Sequence, residues 1–213
     1  MNKTVMYIFA IALAGASARA QKPGTIEWNG PAPFVGVQAP LPDGLTKIFS
    51  NLGPATAPYV GSAWLVQGPN NSAAAAEQFV ALPFSSKNAA HVEQVQAAVQ
   101  WVSGTNQLNI SIYSNVGNKP GKLLRGPVTV TNLPTYFTCC QLAVANFSPS
   151  LAIAAKAKYW IVANTPASGA GSDFSGTWSF NPSKLLVGFD EGNGWFTTQG
   201  NEDPAAAVYG TIP

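Results

Sequence analysis

His91 to Leu124 reads HVEQVQAAVQWVSGTNQLNISIYSNVGNKPGKLL, and its alternation decides the fold. At a period of two, Val95, Ala97, Val99 and Trp101 fall on one side of an extended chain, with Gln94, Gln96 and Gln100 on the other. That is the pattern of a half-buried antiparallel strand. After Ser103-Gly104-Thr105-Asn106 a second run begins, in which Leu108, Ile110 and Ile112 oppose Asn109, Ser111 and Tyr113. Two alternating runs joined by a short loop containing glycine predict a β-hairpin. Asn115 to Gly121, NVGNKPG, is dense in turn formers and predicts the next reversal before Leu123.

The same short-strand rhythm extends outward. Apolar or alternating runs predict strands at 47–52, 63–67, 78–84, 126–133, 141–147, 159–164, 176–180, 185–189, 195–198 and 206–212. Pro83 is expected to end or bend its strand, because proline has no N–H for a ladder. Asn70 to Glu77 is alanine-rich but too short for an independent helix, and Leu151 to Lys158 reads as a loop between strands. Roughly ten or eleven strands with no long helix predict an all-β fold, an antiparallel β-sandwich of jelly-roll type.

Residues 1–20 are read as a signal peptide: Lys3 in the n-region, an apolar Val5–Leu13, and Ala18-Arg19-Ala20 before the cut. The apolar run is well short of the ~20 residues of a membrane span. Residues 21–45, rich in proline and glycine, read as an extended lead-in with at most a short edge strand, and 46–213 as one domain. The chain carries 11 Lys+Arg and 9 Asp+Glu, and removal of Lys3 and Arg19 with the leader leaves 9 against 9. A neutral, charge-poor chain argues against nucleic-acid binding and against attraction to anionic lipid. An exported protein without membrane insertion after leader removal is the expectation.

Asn51 through the hairpin, the turn Gly117-Asn118-Lys119-Pro120-Gly121, the element Thr138-Cys139-Cys140 and the strand at Tyr159-Trp160 resemble the choice-of-anchor R domain. The resemblance covers most of the chain after the leader. It implies a bacterial extracytoplasmic, sandwich-like domain without established catalytic activity. The end, AAAVYGTIP, carries no sorting motif or apolar span, so release or retention through a partner is the expectation.

Cys139 and Cys140 are the two cysteines. Across a trans peptide their Cα atoms would lie ~3.8 Å apart, shorter than disulfides usually span. A vicinal disulfide, bridges to another chain and two thiols are all open; a bonded pair would present a rigid apolar ring beside Tyr136 and Phe137. The C-x-x-C spacing of redox enzymes is missing. His91, the one histidine, has no G-x-S-x-G nucleophile to serve and too few companions for zinc, so no metal and no cofactor are expected.

A glycosidase would need two carboxylates from Asp173, Asp190, Glu191, Glu93 and Glu77, and a hydrolase on Asp173 or Glu191 is the least favoured reading. Asp190-Glu191-Gly192-Asn193-Gly194 reads first as a hairpin loop and second as a calcium or sugar site. Among six tryptophans, Trp101 and Trp160 are expected in the core. Trp178 and Trp195 are the candidates for exposed sugar-stacking rings, with Asp190 and Asn193 beside them, although core packing competes even there. The sequence thus predicts a non-catalytic module with a binding or structural role at the cell surface or in the extracellular matrix. Its expected partners are polysaccharide, surface proteins or further copies of itself.

Overall fold

The computed structural model describes residues 23–26, 43–72, 76–200 and 202–213. The signal peptide (1–20), most of the lead-in and residues 73–75 of the alanine run lie outside the described residues, as does Trp28.

In chain order the strands are β1 (Thr25–Ile26), β2 (Thr46–Ser50), β3 (Ala63–Gln67), β4 (Phe79–Ser85), β5 (Ala90–Ala97), β6 (Val99–Ser103), β7 (Gln107–Val116), β8 (Lys119–Thr131), β9 (Ala143–Ile153), β10 (Lys158–Asn164), β11 (Ser175–Asn181), β12 (Leu186–Asp190), β13 (Phe196–Gln199), β14 (Asp203–Pro204) and β15 (Ala206–Thr211). These 15 strands exceed the ten or eleven expected, partly because two-residue strands carry no periodicity. No helix occurs among the described residues. The 151–158 loop is also revised, since Leu151 to Ile153 continue β9.

The strands form antiparallel sheets around one core. A six-stranded sheet has the order β13-β12-β4-β10-β7-β8, and a four-stranded sheet the order β2-β15-β5-β9. The third runs β1-β3-β11-β14, with β6 also paired to β11. The inner face of the six-stranded sheet contributes Val80, Leu82, Leu108, Ile110, Ile112, Ile161 and Phe189. Val92, Val95 and Val208 of the four-stranded sheet, and Trp64, Val66, Trp178 and Phe180 of the third, join the same core. Trp64 stitches two sheets together, its ring 5.3 Å from Phe180 and 4.7 Å from Phe189. Such ring pairs add about 0.5–1.5 kcal/mol each beyond the area they bury.

The hairpin expected between 95–101 and 108–112 is not formed. β5 pairs with β15 and β9, whereas β6 pairs with β11, so the chain changes sheets at Ala98. Ala98 marks the crossing with its own bonds: its N–H donates to Ala205 O at 2.9 Å, and its carbonyl accepts from Ser179 N–H at 3.0 Å. The true hairpin is β7–β8, closed at Val116↔Lys119. Its two turn residues, Gly117 and Asn118, both have positive φ (58° and 61°), as a type I′ turn requires. Pro83 lies within β4, opposite Trp160 of β10. It is accommodated because the β12 ladder on the other side of β4 runs only from Phe79 to Ala81.

Candidate functional site

The face of the six-stranded sheet turned away from the core is built by pairing register. Tyr113 lies opposite Trp160, and Trp160 opposite Pro83. Two residues along, Val162 faces Ala81, which in turn faces Gly188. Period two puts all of them, with Asp190, on one side. Trp160, Ala81 and Val162 form a small second cluster there, against which Tyr113, Leu186 and Trp195 are packed while remaining partly exposed. Trp160 itself is fully buried, and its Nε1–H donates to Asn115 Oδ1 at 2.9 Å. Glycine at 188 makes room for it: a Cβ there would lie 3.1 Å from Ala81 Cβ and 3.4 Å from Trp160 Cζ3.

The 190–195 loop carries the polar half of the site. Asp190 Oδ1 accepts the backbone N–H groups of Gly192 and Gly194, each at 3.0 Å. Both glycines have positive φ (83° and 91°), a conformation in which side chains are strained. A Cβ on Gly192 would lie 2.8 Å from Glu77 Oε1, the tip of a side chain that reaches this loop. Three carboxylates therefore share this corner. Burial, and after it the negative charge of Asp190, lifts the Glu77 carboxyl above its ordinary value. The same two causes, in the same order, raise Glu191 and the Tyr113 phenol. Asn193 stands exposed at the loop tip. Among the described residues no three of His, Cys, Asp and Glu are grouped to hold a metal ion.

Of the residues singled out in the sequence, Trp195, Asp190 and Asn193 meet at this corner. Trp178 does not, and its reading as an exposed stacking ring is corrected: it is 0% exposed in the core, with Nε1–H donating to Ala205 O at 2.9 Å. Its neighbours Ser175, Gly176, Thr177 and Ser179 are small. They are small because β11 is tightly enclosed; a Cβ on Gly176 would lie 2.3 Å from Phe174 Cζ and 2.4 Å from Gln100 O. Glu77, Tyr113 and Asn115 complete the corner. Tyr113 was legible as the outward partner of Ile112, whereas nothing in the sequence pairs Glu77 with Gly192.

Asp173 is held elsewhere, its Oδ2 accepting from Thr105 N–H at 3.1 Å, and hydrogen bonding to Thr105 lowers its pKa. Glu93 accepts from Thr211 Oγ1 at 3.1 Å, and His91 is exposed on β5.

Cys139 and Cys140 are bonded to each other, their Cα atoms 3.1 Å apart. The bonded pair, one of the three states left open by the sequence, faces the core: Cys139 is 6% and Cys140 0% exposed. Two buried polar side chains hold the turn. Gln100 Nε2 donates to Thr138 O at 2.7 Å and to the Tyr59 hydroxyl at 3.2 Å. That hydroxyl lies 3.2 Å from both Thr138 O and Gln141 O, its single proton shared between them. The turn is thus a plug at one margin of the core, with Tyr136 and Phe137 partly exposed above it. No protein-family model and no curated protein matches the chain.

Proposed function

We propose that the chain is an exported, non-catalytic binding module of the jelly-roll kind of β-sandwich. It acts at the cell surface or in the extracellular matrix and takes a neutral carbohydrate at the outer corner of the six-stranded sheet. One observation carries this reading. A half-buried Trp195 ring lies on the same patch as Tyr113, above the buried Trp160, beside a loop bearing Asp190, Glu191 and Asn193. Aromatic rings supply a flat apolar surface for the C–H face of a sugar. Carboxylates and amides accept and donate the hydroxyl hydrogen bonds that fix its orientation. The clustered negative charge disfavours acidic sugars, which narrows the ligand to a neutral glycan. Export is supported by the leader pattern of residues 1–20, and an extracytoplasmic place by the resemblance to the choice-of-anchor R domain.

The test is co-sedimentation of the chain from Gln21 onward with insoluble neutral polysaccharides, with tryptophan fluorescence read in the same samples. Saturable binding that Trp195→Ala weakens by about tenfold or more, equivalent to about 1.4 kcal/mol, supports the site. Unchanged binding by Trp195→Ala removes it, and failure of the wild type to bind any polysaccharide at high concentration removes the carbohydrate reading.

A further inference from the structure

The opposite end of the same sheet is cationic. Between β2 and the end of β4 lies a cleft of about 680 Å³ whose lining includes Lys47, Lys87 and Lys156. A second cleft of about 210 Å³ adjoins it, sharing Phe49 and Ser85, and brings in Lys158 and Lys184. Five of the eight lysine and arginine residues that are described therefore line two adjoining clefts. No aspartate or glutamate lines either cleft. All five lysines are exposed. The floor between them is apolar, formed by Phe49, Leu52 and Leu185, with the Phe49 ring centroid 6.0 Å from that of the buried Phe84 and tilted by 47°.

The geometry points to a second binding site, for an acidic polysaccharide carrying a carboxylate or sulfate on successive sugars. Five lysines spread over two adjoining clefts, Lys158 with its Nζ donating to Asn118 Oδ1 at 2.8 Å, match charges repeated along a chain, not a single anionic head group. Lysine is a compact point charge that pairs with carboxylate, sulfate or phosphate, without the planar fork that arginine offers to base edges. Single-stranded nucleic acid also needs exposed aromatic faces for stacking. Phe49, the aromatic residue common to both clefts, is half-buried against Phe84. An apolar floor with a polar rim suits the C–H face of a sugar ring, and Ser85 and Asn88 stand exposed on the rim as hydroxyl partners. Its lysines lie at the far end of β4 from the carboxylates of the Asp190 loop, with Leu186 bordering both sites.

Affinity electrophoresis tests it, with polygalacturonate, neutral dextran and a dT20 oligonucleotide as the probes. Polygalacturonate is expected to retard the protein, and dextran is not. Raising salt from 50 to 300 mM should weaken retardation by about tenfold, because exposed charges are screened. Each of Lys47→Ala, Lys87→Ala and Lys156→Ala should cost about two- to fivefold. The triple variant should cost tenfold or more, with an unchanged melting curve, since none of the three side chains is buried. Trp195→Ala should leave polygalacturonate binding untouched, so failure of this site and failure of the neutral-glycan site are read separately. Equal retardation by dextran, full binding by the triple variant, or tighter binding of dT20 than of polygalacturonate would each overturn the proposal.

Discussion

Tyr59 offers a sharp test of how the cysteine turn is held. Its hydroxyl is buried, the residue being 5% exposed, and joins Gln100 to the carbonyl oxygens on either side of Cys139-Cys140. Burial pushes its pKa from 10.0 up to about 12, against a smaller lowering by the Gln100 hydrogen bond. A raised acid pKa means that the unfolded chain ionises first. Stability is therefore unaffected by this group below about pH 10, and it falls as the pH climbs from 10 towards 12. With those two pKa values the loss is about 1.4 kcal/mol at pH 11. Tyr59→Phe removes that loss and also removes two buried hydrogen bonds, one accepted from Gln100 and one donated to the carbonyl pair, at a cost of about 2 kcal/mol. The variant should thus be less stable by about 2 kcal/mol at pH 8, and the gap should narrow to about 0.6 kcal/mol at pH 11. Urea unfolding of both proteins, followed by tryptophan fluorescence at matched pH, measures the difference. Tyr113, Tyr136 and Tyr209 are also shifted upward by burial, but they are common to both proteins and cancel. A stability gap that stays constant from pH 8 to pH 11 would refute the reasoning, because the phenol would then titrate alike in both states.

Gly210→Ala should be severely destabilising, since its Cβ would lie 1.8 Å from the His91 carbonyl oxygen while β15 is held between β2 and β5. About 3 kcal/mol, or a melting temperature lower by about 6–12 °C, is expected from such overpacking; a melt within 2 °C of wild type would contradict that close approach. The cysteine pair should take no iodoacetamide in the unfolded, unreduced chain and two labels after reduction. Labelling without reductant, or a disulfide-linked dimer on a non-reducing gel, would contradict the bond between Cys139 and Cys140.

The strand content was legible because most strands present an apolar residue at every second position, as Leu108, Ile110 and Ile112 do in β7. What the pattern could not carry was partnership. Val95, Ala97, Val99 and Trp101 keep one phase through Ala98, yet the chain leaves the four-stranded sheet there and enters another. Alternation reports the side on which a residue falls and is silent about which strand lies alongside. Gln100 illustrates the cost: assigned to the polar face, it is 2% exposed, because its amide serves the turn around Thr138. The candidate site was half legible. Asp190, Asn193 and Trp195 are close in sequence, and a glycine-rich turn announces their loop. Glu77, Tyr113 and Trp160 reach the same corner only through the order β12-β4-β10-β7, which no local pattern encodes.

Charge shows why totals mislead where geometry does not. The balance of 9 basic against 9 acidic residues after the leader implied a bland surface. In the fold, β4 begins at Phe79, paired with Asp190, and ends at Ser85, paired with Lys158. Its seven residues span about 20 Å at the rise of an extended strand. That exceeds the Debye length of about 8 Å in physiological salt, so neither end screens the other's charge from a ligand. The carboxylate corner and the far lysines are therefore electrostatically separate. A module with a neutral-glycan corner at one end of a sheet and a polyanion groove at the other would bridge two polysaccharides. Mixed gels of the two polymers, stiffened by wild type and not by either the Trp195→Ala or the triple lysine variant, are the macroscopic consequence.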